Sequence, residues 1–172
     1  MSIPQQQIRA RFDAKCIVVY QAFNDGIADA ALSAQRFVAP FSVNRMTWVK
    51  PSFLWMMERC GWATKSNQER VLAVHVLREP FDAAVAAALS TSVTNAHAEV
   101  RVQWDPERDL RGNKLPHRSL QLGLGRAVAQ RYAAQWVSAI EDVTPLVKKL
   151  AALRREGEFE KAAALLPVER IY

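Results

Sequence analysis

The segment Asn44 to Lys65, NRMTWVKPSFLWMMERCGWATK, interleaves Trp48, Trp55 and Trp62 with Arg45, Lys50, Arg59 and Lys65. Flat aromatic faces beside cations suit a planar, anionic ligand: the rings stack on a base or nicotinamide, and the cations meet phosphate or carboxylate. The candidates for holding such a ligand are Arg45, Thr47, Trp48, Lys50, Ser52 and Trp55. Pro51 and Gly61 divide the segment. Proline pushes the preceding residues out of the helical region, so Met46 to Lys50 is expected to be extended. Proline is also suited to a first helical position, so SFLWMMERC is expected to be a helix that stops at Gly61. The corner between the two would offer free N–H groups, a hydroxyl and two cations to an anion. The plainer reading has Phe53, Trp55, Met56 and Met57 packing the core, with Arg45 and Lys50 as solvated flanks. The seven-residue spacing of the tryptophans is not a helical stripe, because proline and glycine interrupt it.

Two further stretches could supply polar catalytic groups. Gln103 and Glu107 stand in EVRVQWDPER, where a strand runs into a charged turn able to point an amide or carboxylate into a cleft. The same residues also fit an ordinary exposed turn. In RSLQLGL, Gln121 is polar among leucines and by alternation shares a face with Ser119 and Gly123. Gly123 and Gly125 approach a glycine-rich turn before a helix, but a lone pair of glycines does not make a phosphate loop. His75 lies mid-strand and reads as a structural histidine; His97 and His117 are expected in solvated loops. Cys16 and Cys60 have no metal spacing and read as buried free thiols. No P-loop, dinucleotide fingerprint, nucleophile elbow or histidine pair occurs, so no metal is expected.

The chain has 172 residues, is half hydrophobic and carries a formal charge of +6. That suits one domain with a real core, and a basic surface that favours nucleotides or nucleic acid. No apolar run reaches membrane-spanning length and the first residues lack the apolar core of a signal peptide, so the expected setting is cytoplasmic, with no membrane partner.

The elements that must position these residues follow from pattern. CIVVYQAF reads as a buried strand, with Asn24 capping a helix through IADAALSAQ. ERVLAVHVL is a second strand, EPFDAAVAAAL a helix, EVRVQW and RSLQLGL further strands, and DPERDLRGNKLP a loop between them. From Gly125 onward three helices are expected, to about Glu141, from Thr144 to Arg155 and from Glu158 to Leu166. The result is one α+β domain over residues 1–172. A mixed or antiparallel sheet body spans 8–124, and a helical cap spans 125–172.

The stretches RMTWVKPSFLWMMERCGWATKSNQERVLAV and VRVQWDPERD, with VYQAFNDGIADAA and RSLQLGL, resemble the domain-of-unknown-function family numbered 4291 over most of residues 8 to 132. The order of elements is also similar to the ADP-ribosyltransferase fold. That second resemblance implies NAD as cosubstrate. It places Tyr20 and Gln21 on a first strand beside NAD, and Trp48 and Ser52 on an aromatic strand leading into a helix. Arg45 and Lys50 would then contact the diphosphate. The first-strand histidine or arginine of that family is not at its usual place, which leaves Arg9 or Arg11 to serve. No single glutamate matches the catalytic one, so Gln103, Glu107 and Gln121 stay open as the group that stabilises the developing oxocarbenium ion. The acceptor would be a nucleic acid, a protein or a small molecule. The alternatives are a non-catalytic domain that binds nucleotide or nucleic acid, and a cofactor-free hydrolase or RNA-processing enzyme.

Overall fold

The computed structural model describes residues 5–90 and 98–172; His97 lies outside them. In chain order the elements are β1 (Gln6–Gln7), β2 (Arg9–Ala10), β3 (Cys16–Phe23), α1 (Asp25–Ala34), β4 (Thr47–Val49), α2 (Phe53–Cys60), β5 (Arg70–Leu77) and α3 (Arg78–Ser90). They continue with β6 (Val100–Arg108), β7 (Lys114–Leu124), α4 (Arg126–Arg131), a π-helical turn (Tyr132–Trp136), β8 (Val137–Asp142), α5 (Thr144–Arg155), α6 (Phe159–Leu165) and β9 (Arg170–Ile171).

Three sheets result. β3, β5 and β8 form an antiparallel sheet in that order. β7 is the spine of a mixed sheet: β6 runs antiparallel along one side, with antiparallel β4 and parallel β1 along the other. β2 and β9 make a short antiparallel pair. The two larger sheets meet at one bridge, where the Tyr20 N–H donates to the Lys50 carbonyl at 2.7 Å. The chain is therefore an α+β domain with mixed and antiparallel sheets.

The alternation of β3 and β5 explains how the core is divided. Ile17, Val19, Leu72 and Val74 face a cluster that also holds Val49, Leu120, Leu122 and Leu124 from the mixed sheet. Val18, Tyr20, Val71 and Ala73 face a second cluster with Phe53, Met56 and Met57 of α2 and Val147 and Leu150 of α5. The central sheet is thus covered on both faces, which is why CIVVYQAF is buried along almost its whole length, apolar but for Gln21, rather than in alternate positions.

Local signals account for most boundaries. Asn24 caps α1 through a hydrogen bond from the Ile27 N–H, and Gly61 ends α2 in the left-handed region at φ 60°. Four expectations are corrected. Pro51 lies one residue before the α2 cap, Ser52, rather than at the first helical position. β6 and β7 run through most of the stretch read as a loop, leaving Asp109 to Asn113 as the turn. His117, placed by its sequence in a loop, is instead in β7. The helix expected to reach Glu141 gives way after Trp136 to β8, so residues 125–172 are not wholly helical. VSAIED becomes a strand because β5 presents an open edge: Val74 pairs with Ile140 and Ala73 with Glu141, and pairing on that edge outweighs local preference.

Candidate functional site

A cavity of about 540 Å³ opens where the end of β3, the approach to β4, α2 and the loop at Ser66–Gln68 converge. Arg45, Lys50 and Arg59 supply cations to its wall, while Phe23, Phe41 and Trp48 supply rings. Gln21, Asn24, Asn67 and Gln68 add amides, and Ser42, Thr47 and Ser66 add hydroxyls. No carboxylate is among the described residues that line it.

Each key side chain is held in a specific way. Gln21 is buried and its amide is fixed at both ends: the Tyr132 hydroxyl donates to its Oε1 at 2.7 Å, and its Nε2 donates to the Trp48 carbonyl at 3.3 Å. Trp48 pairs with Gly123 across β4 and β7. Its indole lies so close that a Cβ on Gly123 would meet the ring at 2.9 Å and Met46 Sδ at 2.8 Å. Gly123 is therefore a seat for Trp48. Lys50 is 7% exposed, donates from Nζ to the Trp48 carbonyl at 3.2 Å and lies 5.6 Å from the Trp55 ring centroid. Burial, and then the Arg59 guanidinium, push its ammonium down to about 7.

Of the residues singled out for ligand binding, Gln21, Arg45, Thr47, Trp48 and Lys50 meet at this cavity. Arg9, Tyr20, Ser52 and Trp55 do not line it. Tyr20 is 1% exposed in the second core cluster, where burial raises its hydroxyl well above the ordinary range. Trp55 backs the Lys50 side chain from α2. Ser52 and the start of α2 are not free for an anion: Ser52 Oγ accepts from the Trp55 N–H, and the carboxylate of Glu169 accepts from the Phe53 N–H at 2.7 Å.

The three polar candidates of β6 and β7 also stand off the cavity. Gln103 and Gln121 are cross-strand partners, and both amides donate to Asp105, at 3.0 and 2.9 Å. They share a sheet face with Trp48, because Trp48 pairs with Gly123, two residues from Gln121. Glu107 is buried at the irregularity between Pro106 and Arg108, and accepts from the Arg108 N–H. It joins a different group. Glu169 is pushed up to about 8, first by burial and further by Glu107, while its hydrogen bond from Phe53 and nearby Arg9 act the other way.

Other candidates resolve as structural. His75 bonds Arg11 at 3.1 Å and Glu141 at 2.5 Å. Cys16 and Cys60 are buried free thiols. Gly125 precedes α4, where Glu99 already occupies the helix start through the Ala127 N–H. Among the described residues no cluster could hold a metal ion, and no helix is long and apolar enough to cross a membrane.

Sequence reasoning missed Glu169, Gln68 and Asn67. The last two lie in a short polar loop with no motif, and Glu169 is 116 positions from its partner Phe53. Arg59 was visible as a cation of the aromatic segment. Its place on the cavity wall follows from α2, which turns it toward Lys50.

Comparison with known proteins gives one finding. The family model described as Domain of unknown function (DUF4291) matches residues 7–172. No curated protein and no solved structure matches the chain.

Proposed function

We propose that this chain, which belongs to the DUF4291 family, binds a nucleotide-type anion in the cavity beside Trp48. The observation that supports the reading is the charge pattern of the wall: Arg45, Lys50 and Arg59 with Trp48 and Phe41, and no carboxylate among the described lining residues. Guanidinium groups stay charged at all working pH values and present paired donors to phosphate oxygens. The aromatic rings offer a stacking surface to a base. The net charge of +6 adds long-range attraction for the same class of ligand.

A second reading, ADP-ribosyl transfer from NAD, draws support from the position of Trp48. This residue lines the cavity and shares its sheet face with Gln103, Asp105 and Gln121. That shared face is the route by which the amide–carboxylate group could act on a nicotinamide stacked on Trp48, although the group itself does not line the cavity. The acceptor in this reading is a nucleic acid, a protein or a small molecule.

Isothermal titration with NAD, ADP and short RNA and DNA oligonucleotides separates the two. Binding of ADP and NAD is expected, weakening with added salt. Arg45→Ala and Arg59→Ala should each lower affinity about tenfold, or about 1.4 kcal/mol. Release of nicotinamide from NAD with the ADP-ribose recovered on an acceptor rather than on water, lost in Gln121→Ala with binding retained, would establish the transferase. If neither ADP nor NAD binds while RNA binds with strong salt dependence, the cavity is not a nucleotide site.

A further inference from the structure

Lys50 differs from the other cations of the cavity in what surrounds it. Its backbone is fixed by the bridge to Tyr20, with the Tyr20 N–H donating to its carbonyl at 2.7 Å. Its side chain is 7% exposed, sets Nζ 5.6 Å from the Trp55 ring centroid and lines the cavity. Among the described residues Nζ makes a single hydrogen bond, to the Trp48 carbonyl, and no carboxylate is within ion-pair reach of it. An ammonium buried without an ion-pair partner is costly, and the more distant Asp105 carboxylate and Cys60 offset that cost only in part. Burial and the neighbouring Arg59 hold its proton affinity down at about 7, so a large fraction of the amine is neutral near neutral pH. A neutral amine can donate one N–H to Trp48 and keep its lone pair for a ligand. Arg45 and Arg59, in contrast, offer the paired donors of a guanidinium, which suit holding an anion.

We infer that Lys50 is the reactive amine of this cavity, condensing with the carbonyl of a small aldehyde or ketone whose anionic group is held by Arg45 and Arg59. The Nζ lone pair attacks the carbonyl carbon, and the carbonyl π pair moves to oxygen, which takes a proton. The resulting carbinolamine loses its nitrogen proton and expels the hydroxyl as water, leaving a C=N bond. Amine plus carbonyl gives imine plus water, with no oxidant or reductant consumed. Desolvation beside other cations is a known way to make a lysine nucleophilic at neutral pH. The exposed Lys148 and Lys149 of α5 have no such setting. The inference rests on the anion-binding reading only for the ligand's charged end.

The probes are glycolaldehyde phosphate and uncharged glycolaldehyde, each incubated with the full chain at pH 7 and sodium cyanoborohydride, followed by peptide mass mapping. Glycolaldehyde phosphate is expected to label Lys50 at least tenfold faster than Lys148, and at least tenfold faster than glycolaldehyde labels Lys50. The Lys50→Met variant should lose that adduct, and Arg45→Ala with Arg59→Ala should remove the preference for the phosphorylated probe. Labelling of Lys50 no faster than Lys148, or without preference for the charged probe, overturns the proposal. The comparison among lysines is made within the unmodified protein, so it stands even if Lys50→Met does not fold. Nucleotide binding is scored separately by calorimetry, so failure of that reading is distinguishable from failure of this one.

Discussion

Glu169 sits where a carboxylate is costly to ionise. Burial and the nearby Glu107 raise it from its ordinary value of 4.5 to about 8, although the Phe53 N–H and Arg9 favour its charge. The sign for stability follows. With the folded value above the unfolded one, the native state holds the proton more tightly. The contribution is complete below about 4.5 and is lost as pH rises toward 8. Glu169→Gln keeps an acceptor for Phe53 but cannot ionise. It should therefore flatten the fall in melting temperature between pH 5 and 8 and leave the acid side unchanged. The gain at pH 8 is on the order of 2 kcal/mol, below the full linkage value because part of the group meets solvent. A steeper fall in the variant would show that Glu169 acts as a charged cap. This role was not legible in the sequence. A glutamate in VERIY carries no local pattern, and its environment is assembled from Phe53, Glu107 and Arg9. Lys50, in contrast, was legible as a cation beside tryptophan and proline. Its burial depends on Trp55 and the packing of α2, which local pattern does not give.

At the level of elements, the seat of Trp48 on Gly123 joins β4 to β7. A methyl group there would stand 2.9 Å from the indole and 2.8 Å from Met46 Sδ. Gly123→Ala should therefore displace the ring. It is expected to cost about 1–3 kcal/mol in stability, shift tryptophan fluorescence and weaken nucleotide binding, read together by denaturant melts and titration. Unchanged emission and affinity would mean that Met46 alone yields. A β strand at residues 47–49, a helix ending at Gly61 and a helix capped by Asn24 could each be read from proline, glycine and asparagine placed at their ends. β8 could not be read in this way. Tyr132, Trp136 and Ile140 are spaced as a helix would space them, and the strand exists because β5 has an edge to fill. Arg70 then ties β5 to β8 and α1, through Asp142 at 2.7 Å and through Asp29 and Asp25. Such a cluster is invisible until the fold brings its members together.

At the level of the whole molecule, the C-terminal strand β9 holds the segment around β2. β9 pairs with β2, and the Tyr172 N–H donates to the Ile8 carbonyl at 2.8 Å. The Tyr172 hydroxyl donates to Asp82, the Phe12 and Tyr172 rings meet edge to face at 4.9 Å, and the Arg78 guanidinium lies over both. Removing residues 168–172 should cost about 2–4 kcal/mol from lost hydrogen bonds and packing. That corresponds to a drop of roughly 5–15 °C in Tm for a chain of this size, measurable by calorimetry. A truncated chain that melts with the parent would show that the strap adds no stability. The α+β class and the basic, aromatic cavity wall were legible from composition and from residues 44–65; the strap and the split core were not, because they depend on contacts between distant segments. The bridge between Tyr20 and Lys50 has a further consequence. It uses only main-chain atoms, so that hydrogen bond between the two sheets does not itself depend on the amine that position 50 carries. Architecture and chemistry meet at one residue there but through different atoms: a replacement that packs against Trp55 as the lysine stem does would change what the pocket does and keep the main-chain link between the sheets.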